Sequence, residues 1–301
     1  MQIKLNRREA ICVLSGAFTT YAAAPLAMIP STLCAAHDER QSRGSEIHDR
    51  ASGYTIRFAY PLDELIGDLI HGERGDPERE SETPHHQWYT AEIRRRSGAW
   101  GPEARAYEPL PELAEKPTDW LRQRVIATAA RLLGYGYQHH HVPDWDPPAD
   151  WPWKPCCVGH NGRGVDCSNF TGFVYNQGFG LRMSSGIERQ SELRSAMEER
   201  HESITLHRIA LPQSYEERSR VLRTGDLVYI RGREDGPITH VILWIGDLGQ
   251  ADNDVPLIMD SHGGGVDNDA GEAIPCGIHL RPFREDSWYN RCASHAHRLF
   301  A

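Results

Sequence analysis

The sequence predicts an α+β domain, in which helices are followed by a set of antiparallel strands. Apolar residues recur at helical spacing over residues 121–133, which end before Gly134, and over residues 170–178, which end on Gly178. Three later runs have the composition and length of strands, at residues 226–230, 240–245 and 257–260. Turn residues at 233–236 separate the first two runs, so we expect them to form a hairpin.

The first 36 residues have the features of a secretory signal. Arg7 and Arg8 precede an apolar run from Ile11 to Ile29, and small residues follow it. The adjacent arginines resemble a twin-arginine export signal. A membrane-spanning anchor is the alternative, but prolines interrupt the run and its length is modest. We therefore expect an exported protein, periplasmic or extracellular, with no stable membrane insertion once the signal is removed.

Residues 37–116 form an extension to which the sequence assigns no function. The polar and charged composition of residues 37–55 predicts a flexible leader. Residues 56–116 contain a short apolar piece and scattered prolines, which predict irregular structure with one or two short helices. A domain at 117–301 follows, and Thr118 and Asp119 are the expected caps of its first helix.

Composition and cysteine content fit an exported protein. The net charge of −9 argues against electrostatic binding to nucleic acid or to anionic lipid. Removal of Cys12 and Cys34 with the signal leaves five of the seven cysteines, so at least one thiol stays unpaired in an oxidising compartment. Disulfides from the adjacent cysteines 156 and 157 to Cys276 and Cys292 are a hypothesis that would spare Cys167.

Cys167 is the candidate nucleophile. A thiol reacts as its thiolate, and the first turn of a helix favours negative charge. Asp166, immediately before it, is a residue type that caps helices. The backbone N–H of Cys167 is also available to a developing oxyanion. The alternative is that Cys167 is a small buried apolar residue or half of a disulfide.

His240 is the candidate base. It begins the apolar run His240–Ile245, which places its imidazole at the rim of a sheet rather than inside the core. A thiol and an imidazole brought together by separate elements form the usual pair of nucleophilic catalysis.

Three motifs in this order resemble the NlpC-type family of bacterial cell-wall cysteine peptidases, within the papain-like superfamily. They are Asp-Cys-Ser-x-Phe-x-x-Phe-Val-Tyr-x-x-Gly from Asp166, Gly-Asp-Leu-Val from Gly225 and His-Val-x-x-x-x-Gly from His240. The resemblance implies a papain-like fold, with the cysteine on a helix packed against a small antiparallel sheet that carries the histidine. It implies hydrolysis of amide bonds in peptidoglycan stem peptides, such as a γ-D-glutamyl bond to a diamino acid, without a cofactor.

The family also implies a third polar residue on the next strand, which orients the imidazole. Strand alternation puts Asp260 and His262 on one face. Position in the family favours Asp260, whereas the commoner residue type favours His262. We expect His262 by a narrow margin and keep Asp260 as the alternative.

The resemblance further suggests Tyr137, Asp166 and Ser168 as contacts to the amino end of the substrate peptide, although Tyr137 could equally serve only packing. The chain departs from the family at Asn169, where a glycine is usual, and in the length of the loop 138–164.

That loop supports other interpretations of the chain. It contains three consecutive histidines, two cysteines and several tryptophans, at His139, His140, His141, Trp145, Trp151, Trp153, Cys156, Cys157 and His160. Imidazole and thiolate are zinc ligands, yet this spacing is unusual for a zinc site, so we expect no metal. The tryptophans are expected to pack rather than to stack on sugars. Non-catalytic wall binding, and acyl transfer of the transglutaminase type by the same Cys–His pair, remain alternatives.

Overall fold

The computed structural model describes residues 45–148, 162–198 and 203–301. The secretory signal expected at 1–36 and the start of the expected leader lie outside these residues. The described residues all belong to one compact unit, Ser42–Ala301. The domain boundary expected at residue 117 stays a prediction.

Within the described parts of the chain, no helix has the length and apolarity that crossing a membrane requires.

The extension contains a hairpin and two helices. These elements are β1 (Glu46–His48), β2 (Thr55–Arg57), α1 (Leu62–His71) and α2 (Ala91–Ser97). Short 3-10 turns lie at Glu73–Gly75, Pro77–Arg79, His85–Gln87, Gly98–Trp100 and Pro111–Glu115. The expectation of one or two short helices is confirmed.

The hairpin corrects the prediction of a flexible leader over residues 45–55. Asp49, in the turn, is buried and lies 3.1 Å from Nδ1 of His279 in the main sheet. Its carboxylate also accepts from the Ser52 hydroxyl at 2.8 Å and from the Leu280 N–H at 2.9 Å. A polar local sequence is therefore ordered by partners more than 200 positions away.

Two long helices follow, α3 (Thr118–Ala130) and α4 (Cys167–Phe179), as predicted. The expected capping of α3 by Thr118 and Asp119 is wrong, because the helix starts one residue earlier than that pattern implies. Pro117 occupies the cap position, and Asp119 lies in the first turn, where it accepts from Gln123 at 2.8 Å. The two helices pack closely at Gly178, where a side-chain carbon would lie 3.1 Å from the Thr128 hydroxyl.

Beyond α4, the remaining elements are short. They are β3 (Leu181–Arg182), α5 (Ile187–Ser191), β4 (Ser195–Glu198), β5 (Ser203–Thr205), β6 (His207–Ala210), α6 (Tyr215–Val221), β7 (Leu227–Arg231), β8 (Ile238–Trp244), β9 (Leu257–His262), β10 (Val266–Asp267), β11 (Ala273–Ile274), β12 (Gly277–Pro282), α7 (Trp288–Arg291) and β13 (Ala293–Arg298). Two further 3-10 turns lie at Gly246–Leu248 and Asp252–Asp254.

The main sheet has six strands in the order β12-β9-β8-β7-β13-β6, and each neighbouring pair is antiparallel. Strands β7, β8 and β9 cover the three runs predicted from the sequence, whereas β6, β12 and β13 were not predicted. A smaller sheet has the order β3-β4-β5, and β10 pairs with β11.

Apolar residues on the two faces of the main sheet belong to different clusters. One face joins α3 and α4 in the larger core, which includes Val125, Phe170, Val174, Tyr229, Val241, Leu243, Met259 and Leu280. The other face packs with α6 and α7 in a second cluster, which includes Val228, Ile230, Ile242, Trp244, Ile258, Phe283 and Tyr289. The predicted α+β class is confirmed, with the Cys167 helix packed on an antiparallel sheet.

The start of β12 is joined to the segment that follows α3. The N–H of Ile278 donates to the carbonyl of Tyr135 at 2.8 Å, and the N–H of Gly134 donates to the carbonyl of Ile278 at 2.9 Å. Gly277 has a φ of +117°, and a side-chain carbon there would lie 2.1 Å from the Tyr135 carbonyl oxygen. Only glycine fits this position.

Candidate active site

Cys167 is the first residue of α4, where its thiol is buried with 5% of the residue exposed. Asp166 caps the helix, since its Oδ1 accepts from the Asn169 N–H at 3.0 Å. Its Oδ2 accepts from the Asn169 side-chain amide at 2.8 Å, so the departure from the family's glycine adds a second bond to the cap. The N–H groups of Cys167 and Ser168, which precede the capped N–H of Asn169, have no partner within the helix, and that of Cys167 is available to a developing oxyanion.

The chain before Cys167 is held against β9 and against the segment after α3. Ser261 donates its hydroxyl to the carbonyl of Val165 at 2.5 Å. The Val165 N–H donates to the carbonyl of Gly136 at 3.1 Å, and the Gly136 N–H donates to Arg163 at 2.9 Å. The approach to the nucleophile is therefore tied to the sheet through backbone and hydroxyl groups.

His240, the third residue of β8, lies beside the thiol. Sγ of Cys167 is 4.0 Å from the carbonyl oxygen of Thr239, the residue that precedes His240 on β8. Burial alone would lower the pKa of His240, but the neighbouring Cys167 and the hydrogen bond to Asp260 raise it to about 9. The imidazole is thus held as its cation near neutral pH, next to the group that must become a thiolate.

Asp260 on β9 is the partner of His240. Its Oδ2 lies 2.7 Å from Nε2 of His240, which leaves Nδ1 of the ring for the thiol. Oδ1 accepts from Nη1 of Arg281 at 2.7 Å, and Oδ2 also accepts from the Tyr289 hydroxyl at 2.8 Å. Burial alone would raise the pKa of Asp260, but Arg281 and His240 outweigh it and hold the pKa well below the usual range.

The structure places Asp260, the alternative, and not the expected His262, in a hydrogen bond with His240, and the catalytic role of either residue stays a prediction. His262 packs edge-on against His240 with 5.1 Å between ring centroids, and its Nδ1 accepts from the Gly264 N–H at 3.1 Å. Burial lowers the pKa of His262 to about 4, so it is neutral at physiological pH. A neutral ring without a hydrogen bond to His240 cannot replace the carboxylate. Arg281, on a strand that the sequence did not predict, stabilises the negative charge of Asp260 and so favours Asp260 as the partner of His240.

The suggested substrate contacts are close to the nucleophile. Ser168 is buried and donates to Asp166 at 3.1 Å and to the carbonyl of Ser185 at 2.6 Å. Burial raises the pKa of Asp166, against the hydrogen bonds from Asn169 and Ser168. Tyr137 directly follows Gly136, whose backbone is paired with the chain before Cys167, and its ring meets His139 edge-on at 5.7 Å. A role for these three residues in binding stays a prediction.

The histidine- and tryptophan-rich loop is described only in part. Trp145 is buried and stacks on Tyr89 with 4.7 Å between centroids, which agrees with the expected packing role. Among the described residues, no group of three or more His, Cys, Asp or Glu side chains is arranged to hold a metal ion. Trp151, Trp153, Cys156, Cys157 and His160 lie outside the described residues. Cys276 and Cys292, the suggested disulfide partners, are free thiols.

Sequence reasoning missed the part of the site that comes from the C-terminus. Arg281 and Tyr289 contact Asp260, and Trp288 packs against His240 with 5.6 Å between ring centroids. The alternation of apolar and polar residues over 277–282 is a strand signal that could have indicated Arg281. Nothing local indicates the two aromatic residues.

Comparisons with known proteins agree with the motifs. Residues 156–266 match the NlpC/P60 family. No curated protein matches the chain.

Three solved structures are similar at low identity. An NlpC/P60 family protein from Bacillus cereus is 18% identical, with 62% of this chain and 41% of that chain covered and a TM-score of 0.33. The P60 domain of an antigen from M. avium subspecies paratuberculosis is 17% identical, with 61% and 98% covered and a TM-score of 0.34. A lipoprotein-like NLP/P60 family protein from Staphylococcus aureus is 11% identical, with 80% and 62% covered and a TM-score of 0.32. This chain thus spans less than half of the Bacillus chain and less than two thirds of the Staphylococcus chain.

NlpC/P60 proteins are in general cell-wall peptidases. The resemblance predicted from the motifs around Cys167 and His240 is confirmed: over residues 156–266 this chain matches the NlpC/P60 family.

Proposed function

We propose that the protein is a cysteine peptidase or amidase that hydrolyses amide bonds in the stem peptides of peptidoglycan. The observation that carries the proposal is the hydrogen-bonded His240–Asp260 pair beside Cys167 at the start of a capped helix. Nucleophile, base and orienting group come from three different elements, α4, β8 and β9, which is the arrangement of a catalytic triad.

In the proposed reaction, the Cys167 thiolate attacks the amide carbonyl carbon, and the carbonyl oxygen becomes an oxyanion near the N–H groups that begin α4. His240 gives its proton to the leaving amine, the C–N bond breaks, and an acyl-enzyme remains on Sγ. His240, now neutral, takes a proton from water, which attacks the acyl carbon; the C–Sγ bond then breaks, the acid is released and Cys167 returns to its thiolate beside the imidazolium. Asp260 keeps Nε2 of His240 in place through both steps.

The substrate class and the location rest on other observations. The stem-peptide substrate is supported by the NlpC/P60 match. Export to the periplasm or cell exterior is proposed from the signal-like residues 1–36, and peptidoglycan is the polymer that such a protein would meet there. Asp166, Ser168 and Tyr137 are the proposed contacts to the amino end of the peptide.

The test is mass spectrometry of purified muropeptides and wall sacculi after incubation with the mature protein and with Cys167→Ala. Fragments that appear only with the wild type are the expected result, and their masses identify the bond. The variant should lose about 10⁴-fold or more in turnover. Cys167→Ser is a matched control for side-chain volume, and circular dichroism checks that both variants keep the fold.

Equal turnover by Cys167→Ala would refute the mechanism. If the wild type cleaves no wall fragment with its thiol confirmed as reduced, the substrate is wrong. Products that carry an added amine in place of water would instead indicate acyl transfer.

A further inference from the structure

The C-terminal segment Gly277–Arg298 follows the residues that match the family, 156–266, yet it reaches the centre of the site. Arg281 on β12 and Tyr289 on α7 occupy the two oxygens of the Asp260 carboxylate, at 2.7 and 2.8 Å. We propose that Arg281 and Tyr289 are positioning residues, which keep Asp260 ionised and oriented so that it holds His240 against Cys167. The inference rests on the proposed function for the role of this Cys–His pair.

Ionisation of Asp260 needs a specific stabilising group. The carboxylate and the Arg281 guanidinium both have 0% exposed side chains, so neither charge is solvated by water. A buried carboxyl without a cationic partner becomes neutral instead of paying the cost of burying its charge. Arg281 provides such a partner at 2.7 Å besides the His240 imidazolium, and its charge is the largest single influence that lowers the pKa of Asp260.

Arg281 is itself held from behind. Its Nη2 donates to the carbonyl of Pro275 at 2.8 Å, while Nη1 reaches Asp260. A planar guanidinium that is fixed on one side presents its other nitrogen in a defined direction. The Arg281 guanidinium therefore also sets the orientation of the Asp260 carboxylate. A lysine, which is more flexible and has a single nitrogen, would orient it less well.

Tyr289 constrains the second oxygen. Its hydroxyl and Nε2 of His240 both donate to Oδ2 of Asp260. Its ring packs against those of His240 and His262, with 6.1 and 5.9 Å between centroids. Replacement by phenylalanine removes the hydrogen bond and keeps this packing, so it isolates the positioning role.

Several other titratable groups surround the His240–Asp260 pair. Cys167 faces it from α4, and His262 lies on the same strand as Asp260. His279 is opposite Asp260 on β12 and is bound by Asp49 of the N-terminal hairpin. None of these three shares the direct, charged hydrogen bond that Arg281 makes to Asp260. Without Arg281, Asp260 stays neutral up to higher pH, His240 loses its counter-charge, and Cys167 becomes reactive only at higher pH.

The experiment measures the rate of Cys167 alkylation by iodoacetamide as a function of pH, quantified on the Cys167 peptide by mass spectrometry. We expect Arg281→Met to move the acid limb of this profile upward by about one pH unit. Arg281→Lys should restore part of the shift, and Tyr289→Phe should move the limb in the same direction by less. The matched control is Arg298→Met, which breaks the close Arg298–Asp226 ion pair (2.6 Å) and should leave the limb in place.

Acid limbs that coincide in the wild type, Arg281→Met and Tyr289→Phe would overturn the inference, as would an equal shift in Arg298→Met. If Arg281→Met does not fold, the acid limb of Tyr289→Phe tests the inference: an upward shift supports it, and an unchanged limb overturns it. Alkylation needs no wall substrate, so a failure to cleave muropeptides counts against the proposed function alone. A wild-type profile of an ordinary thiol would contradict the Cys167–His240 pair and the inference with it.

Discussion

Two buried histidine–aspartate pairs lie close together: one joins β8 to β9 of the main sheet, and the other joins the neighbouring strand β12 to the turn of the N-terminal hairpin. His240 and Asp260 are 2.7 Å apart, with 6% and 0% of their side chains exposed. His279 and Asp49 are 3.1 Å apart, with 4% exposed on each side. His279 is directly opposite Asp260 in the strand register. The two pairs therefore have the same chemistry and almost the same burial.

Their third neighbours differ. His240 has the Cys167 thiol beside it, whereas Asp49 is occupied by the N–H of Leu280 and the hydroxyl of Ser52. The first pair can move a proton to or from a reacting group, and the second fastens the N-terminal hairpin to β12. A buried His–Asp pair is thus no indication of catalysis until a nucleophile is found next to it.

The largest expected difference is in kcat, between the variants Asp260→Asn and Asp49→Asn. Asp260→Asn should lower kcat about 10³-fold, because a neutral amide removes the negative charge that stabilises the imidazolium and leaves the buried Arg281 cation without its counter-ion. Asp49→Asn should leave kcat within about threefold, because its carboxylate contacts no reacting group. Both rates are measured on the muropeptide that the wild type cleaves. Similar losses in the two folded variants would contradict the division of roles.

The second expected effect is on stability in acid. The pKa of Asp49 is lowered from 3.8 to about 2. Its stabilising contribution is present above pH 3.8 and is lost as the pH falls through 2, and it amounts to about 2 kcal/mol. Urea unfolding of the wild type should thus lose more free energy between pH 5 and 2 than unfolding of Asp49→Asn. If the free energy of unfolding fell equally with pH in the two proteins, the Asp49–His279 pair would not contribute to the acid dependence of stability.

A smaller effect is expected in the alkaline limb of the pH profile of kcat/KM. The pKa of His240 is raised to about 9, so the imidazolium that protonates the leaving amine is present below that pH and is lost above it. We expect kcat/KM to fall about tenfold per pH unit above 9. Asp49→Asn should keep the same limb. A limb near 6.5 would mean that Cys167 and Asp260 do not stabilise the cation.

The smallest expected effect is that of His262→Phe, which keeps a ring against His240. Because His262 is neutral and makes no hydrogen bond to His240, kcat should fall by about fivefold or less. The comparison with Asp260→Asn distinguishes the two candidates that the sequence left open. A loss as large as that of Asp260→Asn would restore His262 as the orienting residue.

The sequence predicted the parts of the molecule that depend on local pattern. Apolar spacing predicted α3 and α4, the composition and length of three runs predicted β7 to β9, and the residue before the helix predicted the Asp166 cap. The family resemblance added the pairing of Cys167 with His240.

Long-range partners were beyond that reasoning. Asp260 and His262 have the same face and similar spacing from His240, so local pattern could not separate them. The choice depends on Arg281, which pairs with this strand from the other side of a 14-residue connection. The hairpin at Asp49 was likewise missed because a polar stretch is ordered by a histidine 230 positions away.

The tight start of β12 at Gly277 limits how far the polypeptide can be shortened. A fragment that stops at residue 266, where the family match stops, lacks the strand that pairs with Gly134 and Tyr135. It also lacks the cation that compensates Asp260. We expect such a fragment to carry both the cysteine and the histidine and still be inert, so the smallest working unit of this protein should extend at least through β12.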